Sequence, residues 1–232
     1  MKKKKLVIFG TGEIGELAHF YFTHDSEFEV VAFTCDDQYA EPGKTLLGLP
    51  IVPVSKVATI YPPHQFEAHV ALSYSKLNAI RMNKYFHMKE LGYSLASYVC
   101  SKSVAWPDLK HGDNCFILEN QTIQPTVEIG NNVMIWSGNH LGHGCKIGNH
   151  TYLSSHICIS GHTEIGERCF IGVNSTFKDF LKIGDRVFIT MGANVTKDLK
   201  NDEVIIAAQS NVLEAGDPLS KKLRKKYFNI EE

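Results

Sequence analysis

Five of the chain's eleven histidines, His140, His143, His150, His156 and His162, fall in one run, WSGNHLGHGCKIGNHTYLSSHICISGHTEIG, over residues 136–166. Imidazole is the side chain whose ordinary titration lies nearest neutrality. Such a cluster therefore raises two chemistries: a metal centre, or a base that takes a proton from a nucleophile. Which applies depends on how the elements beneath the histidines point them.

Those elements are set by a repeat. Isoleucine followed by glycine occurs at 129–130, 147–148, 165–166 and 183–184, each pair eighteen residues after the last. Stepping by six from His111 gives Ile117, Ile123, Ile129, Ile135, Leu141, Ile147, Leu153, Ile159, Ile165, Ile171, Phe177, Ile183, Ile189 and Val195, so among these stations only His111 is not large and apolar. Four places after a station the residue is usually small or slender, as at Cys115, Val127, Val133, Cys145, Thr151, Thr163, Cys169, Ser175, Val187 and Ala193; Gln121 and Leu181 are less regular. A period of six fits neither a helix nor a continuous strand, but it suits short strands joined by bends into the sides of a solenoid. Three sides make an eighteen-residue coil, and residues 111–200 supply five coils, a prism about 24 Å tall at the usual interstrand spacing.

Position within the repeat then sorts the histidines. His150, His156 and His162 lie three places past Ile147, Leu153 and Ile159, on three different sides, and cannot converge within one chain. A single five-histidine metal site is excluded, and no metal is expected, although zinc held by two or three histidines at a subunit junction stays open. His143 lies two past Leu141, nearer a corner, and the residue one coil later is Gly161. Trp136, one past Ile135, is expected to project outward and to need a partner, either a neighbouring subunit or a sugar face.

The front of the chain reads differently. KLVIFG (5–10) is a short strand closed by glycine, Gly10-Thr11-Gly12-Glu13-Ile14-Gly15 opens a helix, and FEVVAFT (28–34) is a second strand ending at Cys35-Asp36-Asp37. Glycines allow a close backbone approach, a helix start offers N–H groups to phosphate, and the two carboxylates stand where a nucleotide-binding βαβ unit contacts a ribose or base. The other reading is a glycine turn that only packs a helix on a sheet. Residues 69–75 read as a strand, 76–92 as a helix ended by Gly92 and 93–99 as a strand, while 39–56 reads as a loop with a short strand at LPIVPV. The fold class is thus α/β plus all-β, with a small Rossmann-like domain over 1–100, the solenoid over 101–200 and a terminal cap or tail over 201–232.

This combination of repeat, GTGEIG and Asp36-Asp37 resembles the left-handed parallel β-helix acyltransferases built from hexapeptide repeats. More narrowly, it is similar to those with an amino-terminal nucleotide-sugar-binding domain, the sialic acid O-acetyltransferase and bacillosamine-type amino-sugar N-acetyltransferase group. Left-handedness comes from this resemblance alone, since the general crossover rule favours the right hand. LGHGCKIG (141–148) matches the stretch that carries the general base of that family, which makes His143 the base. The resemblance implies that Gly161 donates its N–H to the thioester carbonyl, with Asp179 two coils beyond His143 and Pro125 one coil before it on the same track, and Ser160 and His162 beside the donor. Gly10, Gly12, Glu13, Asp36 and Asp37 would hold the nucleotide sugar.

One departure stands out. The family usually places Glu or Asp after the base, whereas this chain has Gly144, so the ring must be oriented by something else: a backbone carbonyl, Asn139 or a neighbouring subunit, with His140 and Trp136 also near. The tail differs as well, and its lysines are open to CoA phosphates. The implied activity is acetyl-CoA-dependent N-acetylation of a UDP-, dTDP- or GDP-linked amino-deoxy sugar for surface polysaccharide synthesis, such as lipopolysaccharide O-antigen, by a homotrimer. Acetyl-CoA is a co-substrate, and no tightly bound cofactor is implied. The alternatives are O-acetylation of a sialic-acid-like sugar and a non-catalytic scaffold or nucleotide-sugar-binding protein.

Gross composition agrees with a cytoplasmic protein. The 24 basic residues against 25 acidic argue against nucleic acid as a partner, and the basic runs at Lys2–Lys5 and 221–226 read as solvated ends. No segment approaches a membrane span or a secretory signal. The six cysteines are spread without a CxxC pair and read as free buried thiols.

Overall fold

A computed structural model describes residues 3–230. Lys2, the first cation of the amino-terminal basic run, lies outside the described residues.

The front domain begins with β1 (Lys4–Phe9), α1 (Glu13–His24) and β2 (Phe28–Cys35), the expected βαβ unit. Leu6, Val7, Ile8 and Phe9 are all buried, because β1 is central and covered on both faces. Residues 39–56 are more ordered than a loop. β3 (Thr45–Leu46) and β4 (Leu49–Pro53) form an antiparallel hairpin, and α2 (Val54–Ile60) follows. Leu47 and Gly48 between the strands both have positive φ (52° and 80°), the conformation that two-residue hairpins need.

β5 (Glu67–Val70) is shorter than the strand expected over 69–75, and α3 (Ala79–Glu90) starts later than 76. Lys76, Leu77 and Asn78 are left-handed (φ 51°, 49° and 62°), which keeps them out of the helix. The sheet runs β3-β4-β2-β1-β5, parallel except for the hairpin. Of the strand expected over 93–99, only Tyr98–Val99 forms, and it pairs with Phe116–Ile117 as the first rung of the second unit.

That second unit is a three-faced prism of two-residue strands. Each strand presents one residue inward and one outward, so each face carries an outward column one coil apart. The first column is Phe116, Met134, Tyr152, Phe170 and Phe188, the aromatic face. The second is Thr122, His140, Cys158, Thr176 and Asn194, the polar face. The third alternates in sign, Lys110, Glu128, Lys146, Glu164 and Lys182, so neighbouring coils attract across the charged face. Coil pairing begins at Tyr98 and reaches Val204–Ile205, beyond the expected 111–200 at both ends.

The apolar stations fill the interior, from Ile117 to Val195. The slender residues four places on do more than fill space. The Cys115, Cys145 and Cys169 thiols each donate at 3.1 Å to a carbonyl of the following coil, as the Thr151 hydroxyl does at 2.9 Å. Burial raises the thiols of Cys115 and Cys169 to about 11, so neither is a nucleophile at neutral pH. Cys158 differs in being exposed. The residue three places past a station turns the corner with positive φ, as at Asn114, Asn132, Gly144, His150, His156 and His162. That conformation favours glycine and tolerates short polar side chains.

The front domain covers the aromatic face. Phe116, Leu118, Met134 and Tyr152 share one core with Leu6, Ile8, Ala18 and Phe22. It also grips the corner between the charged and aromatic faces. Asn114 accepts from the Val70 N–H (2.7 Å) and donates to the Val70 carbonyl (3.2 Å), extending the edge strand β5 across the domain boundary. Arg81, 1% exposed, donates to the carbonyls of Asn132 and His150 and to Asn78. No residue of α4 (Pro218–Phe228) is buried, whereas Ile205 and Ala207, earlier in the terminal segment, pack against the apolar interior of the prism.

Candidate active site

His143 stands exposed at the corner between the polar and charged faces, on the bend between His140–Leu141 and Lys146–Ile147. Gly161 is its neighbour on the next coil: a β-carbon there would fall 2.9 Å from Cε1 and 3.1 Å from Nε2 of His143. The missing side chain therefore makes room for the imidazole itself. Among the described residues, the Gly161 N–H has no acceptor. A free N–H thus lies beside an exposed imidazole.

Gly144 has a local cause. It turns the corner with φ +70°, and a β-carbon would lie 2.6 Å from Nδ1 of His162, whose backbone donates to the His143 carbonyl at 2.9 Å. The His162 ring meets His143 edge-on (centroids 4.8 Å, 88°) and stacks on Phe180 (4.9 Å, 10°). His143 is thus not isolated from the other histidines, because His162 lies directly above Gly144, at the same eighteen-residue step that relates His143 to Gly161.

The group that contacts the ring in place of a carboxylate is Gln124. Its Oε1 is 2.8 Å from the His143 backbone nitrogen and 3.1 Å from Nδ1. Asn139 does not play this part. It is 1% exposed, accepts from the Ile157 N–H at 2.7 Å and donates to the Trp136 carbonyl, so it staples coils from within the prism. Its place four residues after Ile135, the slender inward position, was the signal for that. Trp136 projects from the prism as expected and packs against the core that the front domain shares with the aromatic face, its ring centroid 6.5 Å from that of Tyr152. His140 lies on the polar face between Thr122 and Cys158. Asp179 is exposed, one coil beyond Gly161.

In the front domain the glycines divide by role. A β-carbon on Gly10 would meet the Ala71 carbonyl oxygen at 2.4 Å, and one on Gly15 the Gly10 carbonyl oxygen at 2.1 Å, so both serve close packing. Gly12 faces open space and, with Glu13, Ala71, Leu72, Ser73, Ser75 and others, lines a crevice of about 350 Å³ at the start of α1. Asp36 and Asp37 are not among its lining residues. Asp36 is paired with Lys84 of α3, and Asp37 accepts from the Ser55 N–H at 3.1 Å, which holds its carboxyl below the usual range. No helix among the described residues is long and apolar enough to cross a membrane.

Residues 126–156 match the bacterial transferase hexapeptide of six repeats, and 162–197 match the hexapeptide repeat of succinyl-transferase. Both matches fall within the coils, and the front domain lies outside them. Sequence comparison with curated proteins finds no match. Solved structures share the whole architecture at low identity. The acetyltransferase domain of PglB from Neisseria gonorrhoeae FA1090, in complex with acetyl coenzyme A, is 19% identical over 87% of this chain and 95% of its own, with a TM-score of 0.76. PerB from Caulobacter crescentus, in complex with CoA and GDP-perosamine, is 21% identical over 86% and 92%, with a TM-score of 0.74. WeeI from Acinetobacter baumannii AYE is 19% identical over 90% and 99%, with a TM-score of 0.73. The fold is thus a βαβ front domain on a left-handed parallel β-helix.

Proposed function

We propose that this protein transfers the acetyl group of acetyl-CoA to the amine of a nucleotide-linked amino-deoxy sugar, with His143 as general base. The observation that carries the reading is the contact between the His143 imidazole and Gly161, whose N–H is unengaged. A proton acceptor and an oxyanion donor meet at one point, the minimum that acyl transfer needs. The neutral amine attacks the thioester carbonyl carbon, the carbonyl oxygen takes up negative charge facing the Gly161 N–H, and His143 takes the amine proton. Collapse breaks the carbon–sulfur bond, and the departing CoA thiolate takes that proton back.

Supporting this are relatives of the same architecture solved with acetyl coenzyme A, or with CoA and GDP-perosamine. Gly161, His162 and Asp179 would follow the pantetheine arm along the corner, with Phe180 extending the aromatic surface. Gly12 and Glu13, with Gly10 shaping the turn, would hold the sugar nucleotide at the start of α1, where unpaired N–H groups suit a diphosphate. Asp36 and Asp37 would act from the rim.

The front domain sits on the aromatic face, while His143 occupies the opposite edge of the prism. A second copy bringing its crevice to that edge would complete the site, which favours a homotrimer working in the cytoplasm. The test is a panel of UDP-, dTDP- and GDP-linked 3-amino and 4-amino 6-deoxysugars with acetyl-CoA, followed by thiol release and product mass. Release above background hydrolysis, with one acetyl group on the sugar, is expected; its absence across the panel would sink the reading.

A further inference from the structure

Gly144 supplies no side chain to the imidazole of His143, yet the ring is not left to rotate. The backbone N–H of His143 can only donate, and the side-chain atom 2.8 Å from it belongs to Gln124, so that atom is the amide oxygen, which fixes which way the amide points. The same oxygen lies 3.1 Å from Nδ1. Carrying no hydrogen, it can only accept, so Nδ1 carries the ring proton. A neutral imidazole has one N–H, and Nε2, the nitrogen a Gly161 β-carbon would meet at 3.1 Å, is left with its lone pair.

From this geometry we infer that Gln124 is the positioning residue of His143, holding it as the Nδ1–H tautomer with Nε2 directed at the reacting amine. The inference rests on the reading of His143 as the base. The coil of Gln124 holds the backbone as well, since the Thr126 hydroxyl oxygen accepts from the Gly144 N–H at 3.0 Å. Gln124 and Thr126 face the site from the preceding coil and are neutral; from the following coil the titratable group in ring contact is His162. A neutral acceptor selects a tautomer without the ion pairing by which a carboxylate stabilises the imidazolium. That suits an amine, which needs less activation than a hydroxyl.

The test uses Gln124→Leu and Gln124→Glu in the full chain. Leucine removes the acceptor and should lower kcat about ten- to hundredfold, with the acetyl-CoA KM within about twofold, since orientation matters to the proton transfer and not to donor binding. Glutamate keeps an acceptor, should recover most of kcat, and should move the acid limb of the kcat profile up by about one pH unit, because an anion beside Nδ1 favours the imidazolium. Nitrogen NMR of the labelled imidazole, without substrates, should show Nδ1–H in the wild type and mixed tautomers in the leucine variant.

A leucine variant with wild-type kcat and pH profile, or an Nε2–H tautomer in the wild type, would overturn the assignment. If leucine prevents folding, the wild-type tautomer and the glutamate profile still decide it. If His143→Ala keeps full turnover, the functional reading fails, while the NMR still reports on Gln124.

Discussion

Gly161 and His143 are locked face to face across one coil, and a single methyl group on Gly161 would enter the imidazole at 2.9 Å from Cε1. The backbone at Gly161 is not in the left-handed region, so alanine there strains no dihedral but presses on the ring and, at 3.2 Å, on the His143 carbonyl oxygen. Gly161→Ala should cost less than about 1 kcal/mol of stability and at least tenfold in kcat, because a small misplacement of a catalytic group is expensive. Thermal melts beside a thiol-release assay check this. Unchanged turnover would mean that the ring has room to move.

Placing a carboxylate directly after His143 should fail. Gly144→Asp places a β-carbon at φ +70° and 2.6 Å from the His162 ring. The left-handed conformation alone costs about 1–2 kcal/mol. A lower melting temperature together with slower turnover is expected; a faster enzyme would show that His162 yields readily.

The domain junction should be acid-labile. His69 is fully buried with Nδ1 2.9 Å from the Ala96 carbonyl oxygen, and burial lowers it to about 4; His150, buried beside Arg81, is lowered to about 4 as well. Since a carbonyl only accepts, the His69 Nδ1 is the donor. Above the unfolded value near 6.5 both states are neutral and stability is at its full level. Between about 6.5 and 4 the unfolded chain gains protons that the folded chain refuses, so stability falls with pH. His69 alone accounts for roughly 3 kcal/mol across that window. Urea melts at stepped pH should show the decline, and a flat profile from pH 7 to 4.5 would contradict it.

Arg81 should be the single most costly residue to lose at the same junction. It satisfies the carbonyls of Asn132 and His150, and Arg81→Met leaves both without that donor. Each buried unpaired group costs about 1–3 kcal/mol. The front domain should loosen first, seen as faster proteolysis between residues 60 and 100 while the coils stay protected. Equal protection of both regions would argue that docking rests on the aromatic face alone.

The eighteen-residue coil is a ruler that can be laid on the sequence, so His143 over Gly161 and the inward cysteines were legible from spacing. The same ruler relates Gly144 to His162, and it puts Asn139 at an inward position, contacts that exist in the structure because coil stacking enforces them. Gln124 falls one residue off the column of His143 and reaches it only through side-chain length, which spacing does not encode. Trp136 packs on a core built partly from the front domain, which no repeat encodes. The hairpin of β3 and β4 turns on Leu47, a residue with no intrinsic preference for positive φ, so the turn chemistry gave little warning.

The most direct measurement is single-turnover acetyl transfer by the wild type and His143→Ala, using the best amino-sugar nucleotide of the panel and matched circular dichroism. Loss of a base predicts a rate lower by about 10²- to 10⁴-fold in a folded variant, with part of the loss recovered at high pH, where more of the amine is neutral. A folded His143→Ala protein that transfers acetyl groups at the wild-type rate would contradict the account.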